Sequence, residues 1–298
     1  MTTDVGPDVG PDGVSAELPP AAEPEPMVQP AEPVAVLADE ADGTVIRLGP
    51  VVVKAHSPAS DQAALRARLR VAQHAALHGV LLTPLGEATV RRGRLVTRWP
   101  YGQPVDQAAP ERFPWAEAGA LLARLHAVRP ATLPLPLPAA AGPARAARAV
   151  ERLRGRVTGS RFASARTLVL RAADHPSPTR PTVRPTLCHG DFHLGQLVWA
   201  DGWRLIDIDD LGVGDPAWDL ARPAAWYAAG LLDPNDWQQL LAGYGTTGDP
   251  WPWLEAATRA LTVQSAAQAL LRAQLTDTQL DYDGVALVDS CGRIAGLP

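Results

Sequence analysis

The hydrophobic pattern of this 298-residue chain changes once, close to Pro100. Before Pro100, apolar residues occur in short runs of strand length that are separated by glycine and proline turns. After Pro100, the apolar spacing is mostly that of amphipathic helices. A sheet-forming half followed by a helix-forming half predicts an α+β protein with two lobes, a small β-rich one and a larger, mainly helical one.

The sheet-forming half contains five predicted strands and one predicted helix. The strands fall at residues 34–37, 44–48, 51–54, 87–90 and 95–99, and the helix spans residues 61–78. The second half contains seven predicted helices, at residues 115–128, 144–157, 161–173, 216–229, 234–243, 252–275 and 284–295. One hairpin lies among these helices, with strands at 197–199 and 203–208 joined by Asp201-Gly202, a pair typical of tight turns.

Three segments follow from this pattern. Residues 1–33 contain eight prolines and seven acids but few large apolar side chains, so they cannot bury enough surface to offset the entropy lost on ordering. We predict that this acidic tail is disordered. We further predict that residues 34–99 form the β-rich lobe and that residues 100–298 form the helical lobe.

Charge and composition exclude several classes of function. The first 43 residues hold ten acids and no base, and the remainder holds 27 bases against 22 acids, which is too small a surplus to indicate nucleic-acid binding. No apolar run reaches the ~18 residues of a membrane span, and the N-terminus lacks a signal-peptide pattern. Two cysteines cannot form a disulfide framework. These features predict a cytoplasmic protein without a nucleic-acid or membrane partner.

Polar residues cluster in sequence around the predicted hairpin. His189, Asp191 and Gln196 precede its first strand, and Asp207 lies near the end of its second. Because a tight hairpin folds its strands back on each other, Gln196 and Asp207 should lie close together. Carboxylate and amide oxygens suit Mg²⁺, which prefers few protein ligands plus phosphate oxygens. Asp191 could then accept the proton of a hydroxyl that attacks a phosphate.

The same stretch resembles a known family. His189-Gly-Asp191, followed by four residues and Gln196, has the His-x-Asp-x₄-Asn spacing of the protein-kinase catalytic loop, except that glutamine replaces asparagine. With Ile-Asp at Asp207 and Gly-Asp-Pro-x-x-Asp at residues 214–219, the passage closely resembles the aminoglycoside phosphotransferase family of kinase-like small-molecule kinases.

The resemblance implies a protein-kinase-like fold and an enzyme that uses ATP and Mg²⁺ to phosphorylate a hydroxyl of a small molecule. Leu-Gly-Gln at residues 194–196 is similar to the maltokinase-type branch, which favours a sugar or another neutral polyol as acceptor. The acids of the helical lobe are scattered in sequence, so an aminoglycoside acceptor stays open.

The resemblance also implies roles for individual residues near the hairpin. Asp191 would be the catalytic base, and Asp207 and Gln196 would be the metal ligands. Three residues would support the site structurally: His189, Asp215 and Asp219.

Nucleotide binding would involve the first half of the chain. Lys54, the only lysine among 27 basic residues, ends the third predicted strand, where the family places the lysine that contacts the α- and β-phosphates. The loop Ala38–Thr44, which contains Gly43, would cover the phosphates. Thr97 and Trp99 would lie in the hinge and offer backbone groups to adenine.

One departure from the family affects the lysine. The helix after the lysine strand usually supplies a glutamate partner, but no acid lies between Asp61 and Glu87. Together with Gln196, this leaves open an alternative, a pseudokinase-like module that binds nucleotide and transfers little phosphate. A metallophosphoesterase is excluded because no histidine follows His193 to supply further metal ligands.

Overall fold

The computed structural model describes residues 34–40, 43–134, 136–156, 160–178 and 183–296. The tail predicted to be disordered lies outside these described residues. Residues 33–298 group into one compact unit, so the predicted lobe boundary after residue 99 stays a prediction. None of the helices in the described ranges is both long enough and apolar enough to cross a membrane.

The N-terminal sheet has the five predicted strands, in the antiparallel order β1-β2-β3-β5-β4. These are β1 (Val34–Glu40), β2 (Gly43–Leu48), β3 (Val51–His56), β4 (Thr89–Arg91) and β5 (Arg94–Pro100). The predicted helix follows β3 as α1 (Gln62–Ala72) and ends earlier than expected. Its last predicted residues form a separate 3-10 turn, because the His74 side chain accepts a hydrogen bond from the Ala76 amide and caps that turn.

The predicted phosphate-covering loop Ala38–Thr44 is wrong in extent. β1 continues to Glu40 and β2 begins at Gly43, so only residues 41 and 42, which lie outside the described residues, connect the strands. The pairing extends this far because Asp39 faces Thr44 across the two strands, and the Thr44 hydroxyl donates a 2.9 Å hydrogen bond to the Asp39 carboxylate.

The second part of the chain contains the seven predicted helices, each within a few residues of its predicted ends. They are α2 (Trp115–Ala127), α3 (Gly142–Arg156), α4 (Ala163–Asp174), α5 (Ala217–Ala228), α6 (Pro234–Tyr244), α7 (Trp251–Leu275) and α8 (Tyr282–Ala295). The 25-residue α7 packs against α3, α4, α5 and α8 and forms the centre of the helical core.

Five short strands lie before or between these helices: β6 (Gln103–Pro104), β7 (Thr186–Cys188), β8 (Leu197–Trp199), β9 (Trp203–Leu205) and β10 (Gly212–Gly214). β8 and β9 form the predicted hairpin, and β9 ends before residue 208 because Asp207 adopts a left-handed conformation and starts a 3-10 turn. β6, β7 and β10 were not predicted, because strands of two or three residues show no measurable periodicity.

Two backbone hydrogen bonds fix the hairpin to the segment that follows α1. The Leu82 amide donates to the Leu205 carbonyl, and the Leu205 amide donates to the Val80 carbonyl, each at 2.9 Å. The core is continuous across this junction, since Leu81, Leu197 and Leu205 are fully buried in one cluster. The hairpin therefore holds a fixed position relative to the N-terminal sheet.

Candidate active site

The loop between β7 and β8 is held by a buried carboxylate. Asp219, in the first turn of α5, is 0% exposed, and its two oxygens accept hydrogen bonds from the backbone amides of His189 at 2.6 Å and Gly190 at 2.8 Å. Gly190 has φ +87°, and a Cβ there would collide with the Asp210 carbonyl, so only glycine fits. Asp219 thus fixes the backbone immediately before Asp191.

A histidine that sequence reasoning did not connect with this loop completes the arrangement. His126 Nε2 of α2 lies 2.9 Å from the Asp219 carboxylate, and its Nδ1 lies 2.8 Å from the Tyr244 hydroxyl. Burial by itself would raise the pKa of Asp219, but the hydrogen bond with His126 and the backbone donors outweigh it and lower that pKa. No motif in the sequence links α2, α5 and α6, so this contact could not be found from sequence.

The other two predicted supporting residues, His189 and Asp215, form hydrogen bonds with different segments of the chain. His189 Nε2 donates to the Ile206 carbonyl at 2.7 Å and so joins the loop to the end of β9. Asp215 Oδ1 accepts a hydrogen bond from the Ala217 amide at 3.0 Å, at the beginning of α5. His189 therefore contacts the strand that leads to Asp207, and Asp215 shapes the turn that leads to Asp219.

The hairpin places the backbones of the two predicted metal ligands, Gln196 and Asp207, next to each other. The Ile206 amide donates a 2.9 Å hydrogen bond to the Gln196 carbonyl. Asp207 directly follows Ile206 in the sequence, so it lies one residue from the backbone partner of Gln196. The Gln196 amide lies 3.2 Å from His193 Nε2. Burial, together with nearby Arg222, lowers the pKa of His193 to about 4, so its ring is neutral at pH 7 and adds no cation. This oxygen-rich donor set fits Mg²⁺.

Lys54 lies on β3 and forms ion pairs with two carboxylates. Its Nζ is 2.7 Å from Asp207 Oδ1 and 2.9 Å from Asp209 Oδ2. Burial by itself would lower the pKa of Lys54, but the two carboxylates outweigh it and raise that pKa, so the ammonium stays charged. The structure therefore brings Lys54 and Asp207 together across 153 residues of sequence.

Asp209 supplies the acid that α1 lacks. Its carboxylate lies 3.2 Å from His56 Nδ1, and His56 Nε2 lies 2.9 Å from the Thr97 hydroxyl. Burial by itself would raise the pKa of Asp209, but the His56 hydrogen bond and the charge of Lys54 lower it, so this residue is a carboxylate. The family pattern predicts this acid on the helix after the lysine strand, whereas here it lies two residues after Asp207.

Thr97 and Trp99 belong to the same network. The Trp99 indole N–H donates to the Thr97 hydroxyl at 2.9 Å, which leaves that hydroxyl free to donate to His56 Nε2 and the opposite ring nitrogen of His56 to donate to Asp209. Thr97 is 1% exposed and lies opposite Lys54 in the β3–β5 pair. Both side chains thus support Asp209, and the predicted backbone contacts with adenine stay a prediction.

Gly43 is explained by strand packing. It lies opposite His56 in the β2–β3 pair, and a Cβ on Gly43 would lie 2.8 Å from the Ala55 carbonyl oxygen. Glycine therefore permits close approach of the two strands, and its contact with phosphates stays a prediction.

The helix α1 contributes a base where an acid was expected. Arg68 Nε donates a 2.8 Å hydrogen bond to the Leu211 carbonyl, just after the turn that contains Asp209. Burial lowers the pKa of Arg68 despite the nearby carboxylates. The helix thus fixes the backbone of the turn, and Asp209 on that turn pairs with Lys54.

Two arginines bind the candidate base. Arg222 Nη2 of α5 lies 2.5 Å from Asp191 Oδ1, and Arg145 Nη2 of α3 lies 2.9 Å from Asp191 Oδ2. Arg145 also pairs with Asp210 through Nη1 at 2.5 Å. Burial by itself would lower the pKa of Arg145, but these two carboxylates raise it. Sequence reasoning assigned neither arginine to the site.

Solved structures with the same architecture define the class of fold. A spectinomycin phosphotransferase solved with ADP and spectinomycin is 12% identical, with 89% of this chain and 93% of that chain covered and a TM-score of 0.61. A thermostable mutant of an aminoglycoside phosphotransferase is 15% identical over 89% and 94%, with a TM-score of 0.60. A choline/ethanolamine kinase family protein from Mesorhizobium loti is 19% identical over 89% of each chain, with a TM-score of 0.56. The chain therefore has the two-lobed, kinase-like α+β fold.

The family follows from the sequence match. The model of the phosphotransferase enzyme family matches residues 34–276. The chain belongs to this family and is a phosphotransferase, which confirms the fold class and enzyme class predicted above. A comparison with curated proteins found no significant match.

Proposed function

We propose that this protein transfers the γ-phosphate of ATP to a hydroxyl of a small molecule. The observation that carries the proposal is the ion pair between Lys54 and Asp207, beside the loop that bears Asp191. In the reaction, the acceptor oxygen forms a bond to the γ-phosphorus, and the bond from that phosphorus to the oxygen of the leaving ADP breaks. The hydroxyl proton passes to the Asp191 carboxylate.

The proposed roles distribute charge around the transferred phosphate. Lys54 contacts the α- and β-phosphates, and Asp207 and Gln196 hold Mg²⁺, which neutralises phosphate charge when bound. Asp191 orients the acceptor hydroxyl and takes its proton. Catalysis of this kind depends on positioning and on preorganised charge. The spectinomycin phosphotransferase solved with ADP supports the choice of nucleotide.

The binding-module alternative rested on the missing helix acid and on Gln196 at the asparagine position. Asp209 pairs with Lys54 at 2.9 Å and is itself positioned by His56, so an acid is present at the lysine after all. No observation on the described residues now favours a module without transfer. The maltokinase-like character of the loop rests on residues 194–196 and stays a hypothesis.

Calorimetric titration of ATP with Mg²⁺ tests the nucleotide site directly. Wild type is expected to bind in the micromolar range, and Lys54→Ala and Asp207→Ala are each expected to weaken binding by about 10- to 100-fold, because each removes a charge-assisted contact. Arg171→Gln, which removes an exposed cation of α4, serves as the control and should bind like wild type. Absence of nucleotide binding by wild type would exclude the proposed function.

The role of Asp209 gives a separate prediction. Asp209→Asn is expected to lower kcat/KM by about 10- to 100-fold, because Lys54 loses the charged partner that fixes its orientation. The loss should fall on nucleotide binding and kcat, with the acceptor KM unchanged, and Asp209→Glu should recover part of it. Steady-state kinetics measure this, with exposed Asp289→Asn as control. A loss below threefold would show that Lys54 does not depend on Asp209.

A further inference from the structure

A small cavity beside Asp191 carries information about the acceptor. Its volume is about 10 Å³, room for a single water-sized atom, and it is lined in part by Arg145, Asp191, Trp218, Arg222 and Gln264. The cavity lies at the residue proposed to take the acceptor proton. Whatever occupies it is therefore within reach of the reacting hydroxyl.

The unpaired groups around this cavity are hydrogen-bond donors. Arg222 Nε and Gln264 Nε2 are both buried and have no hydrogen-bond partner among the described residues. Gln264, on α7, is 1% exposed, so it cannot turn to solvent for a partner. Guanidinium nitrogens only donate, and leaving a buried donor unpaired is costly. An oxygen acceptor placed beside them, such as a ligand carboxylate or phosphate supplies, would satisfy these donors.

The arginines also limit the availability of the base. Both oxygens of Asp191 are engaged, one by Arg222 and one by Arg145, although the base must face an incoming hydroxyl. An arginine that leaves Asp191 needs another anionic partner, because an unpaired charge in a partly buried site is unfavourable. An oxyanion on the acceptor can replace Asp191 as that partner and so release the base for the hydroxyl.

We propose that the acceptor is an anionic alcohol, a small hydroxylated molecule whose carboxylate or phosphate group binds Arg222 and Arg145 beside Asp191. This inference rests on the proposed function. The planar guanidinium fork matches the geometry of both oxyanions. A cationic acceptor such as an aminoglycoside would meet two guanidinium groups, and a neutral polyol offers no anion, so neither could replace Asp191 as the partner of Arg222.

Equilibrium binding of four matched sugars to the full-length protein tests this without requiring turnover. The probes are glucose, glucuronate, glucose 6-phosphate and glucosamine, measured by calorimetry in the absence of nucleotide. Glucuronate and glucose 6-phosphate are expected to bind at least tenfold more tightly than glucose or glucosamine. The stronger of the two anionic probes identifies whether the oxyanion is a carboxylate or a phosphate.

Arginine variants establish where the anion binds. Arg222→Gln is expected to weaken binding of the anionic probes by about 10- to 100-fold and to change glucose binding little. Arg222→Lys keeps the charge but not the fork and should give an intermediate loss, which guards against a folding defect in the glutamine variant. Arg171→Gln, on the exposed face of α4, should match wild type.

Three outcomes would overturn the inference: tighter binding of glucose or glucosamine than of either anion, equal anion binding by wild type and Arg222→Gln, or no anion binding by wild type. None of them affects ATP binding through Lys54 and Asp207, which is read in the separate titration. Failure of the acceptor assignment is thus distinguishable from failure of the proposed phosphotransfer.

Discussion

Asp191→Asn is expected to lower kcat by about 10²- to 10⁴-fold, the usual contribution of a positioned general base. The substitution keeps the size of the side chain and one acceptor oxygen for Arg222 or Arg145, so the site should stay assembled. ATP affinity should therefore change little, because Lys54 and Asp207 are untouched. Acceptor-dependent release of ADP measures kcat, and calorimetry measures the nucleotide affinity.

The control variant removes one negative charge from the protein without removing the proposed base. Asp289→Asn removes an exposed carboxylate of α8 and should retain wild-type kcat. If Asp191→Asn turned over ATP and acceptor at the wild-type rate, Asp191 would not be the base, and the reading of this loop as catalytic would fail.

Asp219→Ala is expected to lower the free energy of unfolding by about 3–5 kcal/mol. The substitution removes a fully buried carboxylate and leaves the amides of His189 and Gly190, as well as His126, without their acceptor. Urea unfolding measures the loss. Asp289→Ala, at an exposed position, should stay within about 0.5 kcal/mol of wild type. A loss below 1 kcal/mol for Asp219→Ala would contradict the structural role.

The pH dependence of the stability of the fold gives a second test of the role of Asp219. Its pKa is lower in the folded protein than the ordinary value of 3.8, since its hydrogen-bond donors outweigh burial. A group of this kind stabilises the fold fully above its unfolded pKa, and that contribution is lost as the pH falls through the folded pKa. Wild-type stability should therefore decrease below about pH 4, and this decrease should be smaller in Asp219→Ala, measured by unfolding at a series of pH values.

Local sequence predicted the elements of the fold well. Five strands with one helix, then seven helices with one hairpin, follow from hydrophobic periodicity and turn residues, which report which face of each element is buried. The exceptions are short or depend on partners. β7 and β10 have three residues each and exist because they pair with each other, and β1 extends to Glu40 because Asp39 binds Thr44 of the neighbouring strand.

The candidate site was predicted in part. The spacing from His189 to Asp207 predicts that Gln196 and Asp207 lie close together, and the bond from the Ile206 amide to the Gln196 carbonyl agrees with this, because a tight hairpin leaves little freedom between residues so close in sequence. Their roles as base and metal ligands stay predictions. Lys54 could be assigned only through the family resemblance, since 153 residues separate it from its partner Asp207. The partners of these residues were missed.

Those partners come from distant elements. His126 reaches Asp219 from α2, His56 reaches Asp209 from β3, and Arg145 reaches Asp191 from α3. The two members of each pair lie between 46 and 153 residues apart in the sequence and belong to no common motif. Neither hydrophobic periodicity nor motif spacing could therefore predict these contacts.

The sequence by itself therefore determined the class of fold, the family and the local loop that carries Asp191, since these depend on burial patterns and short-range geometry. Only the tertiary structure decided which acid serves Lys54 and which cations face Asp191. The physical reason is that a charged side chain pairs with whatever group packing brings within about 3 Å, and packing depends on the whole chain.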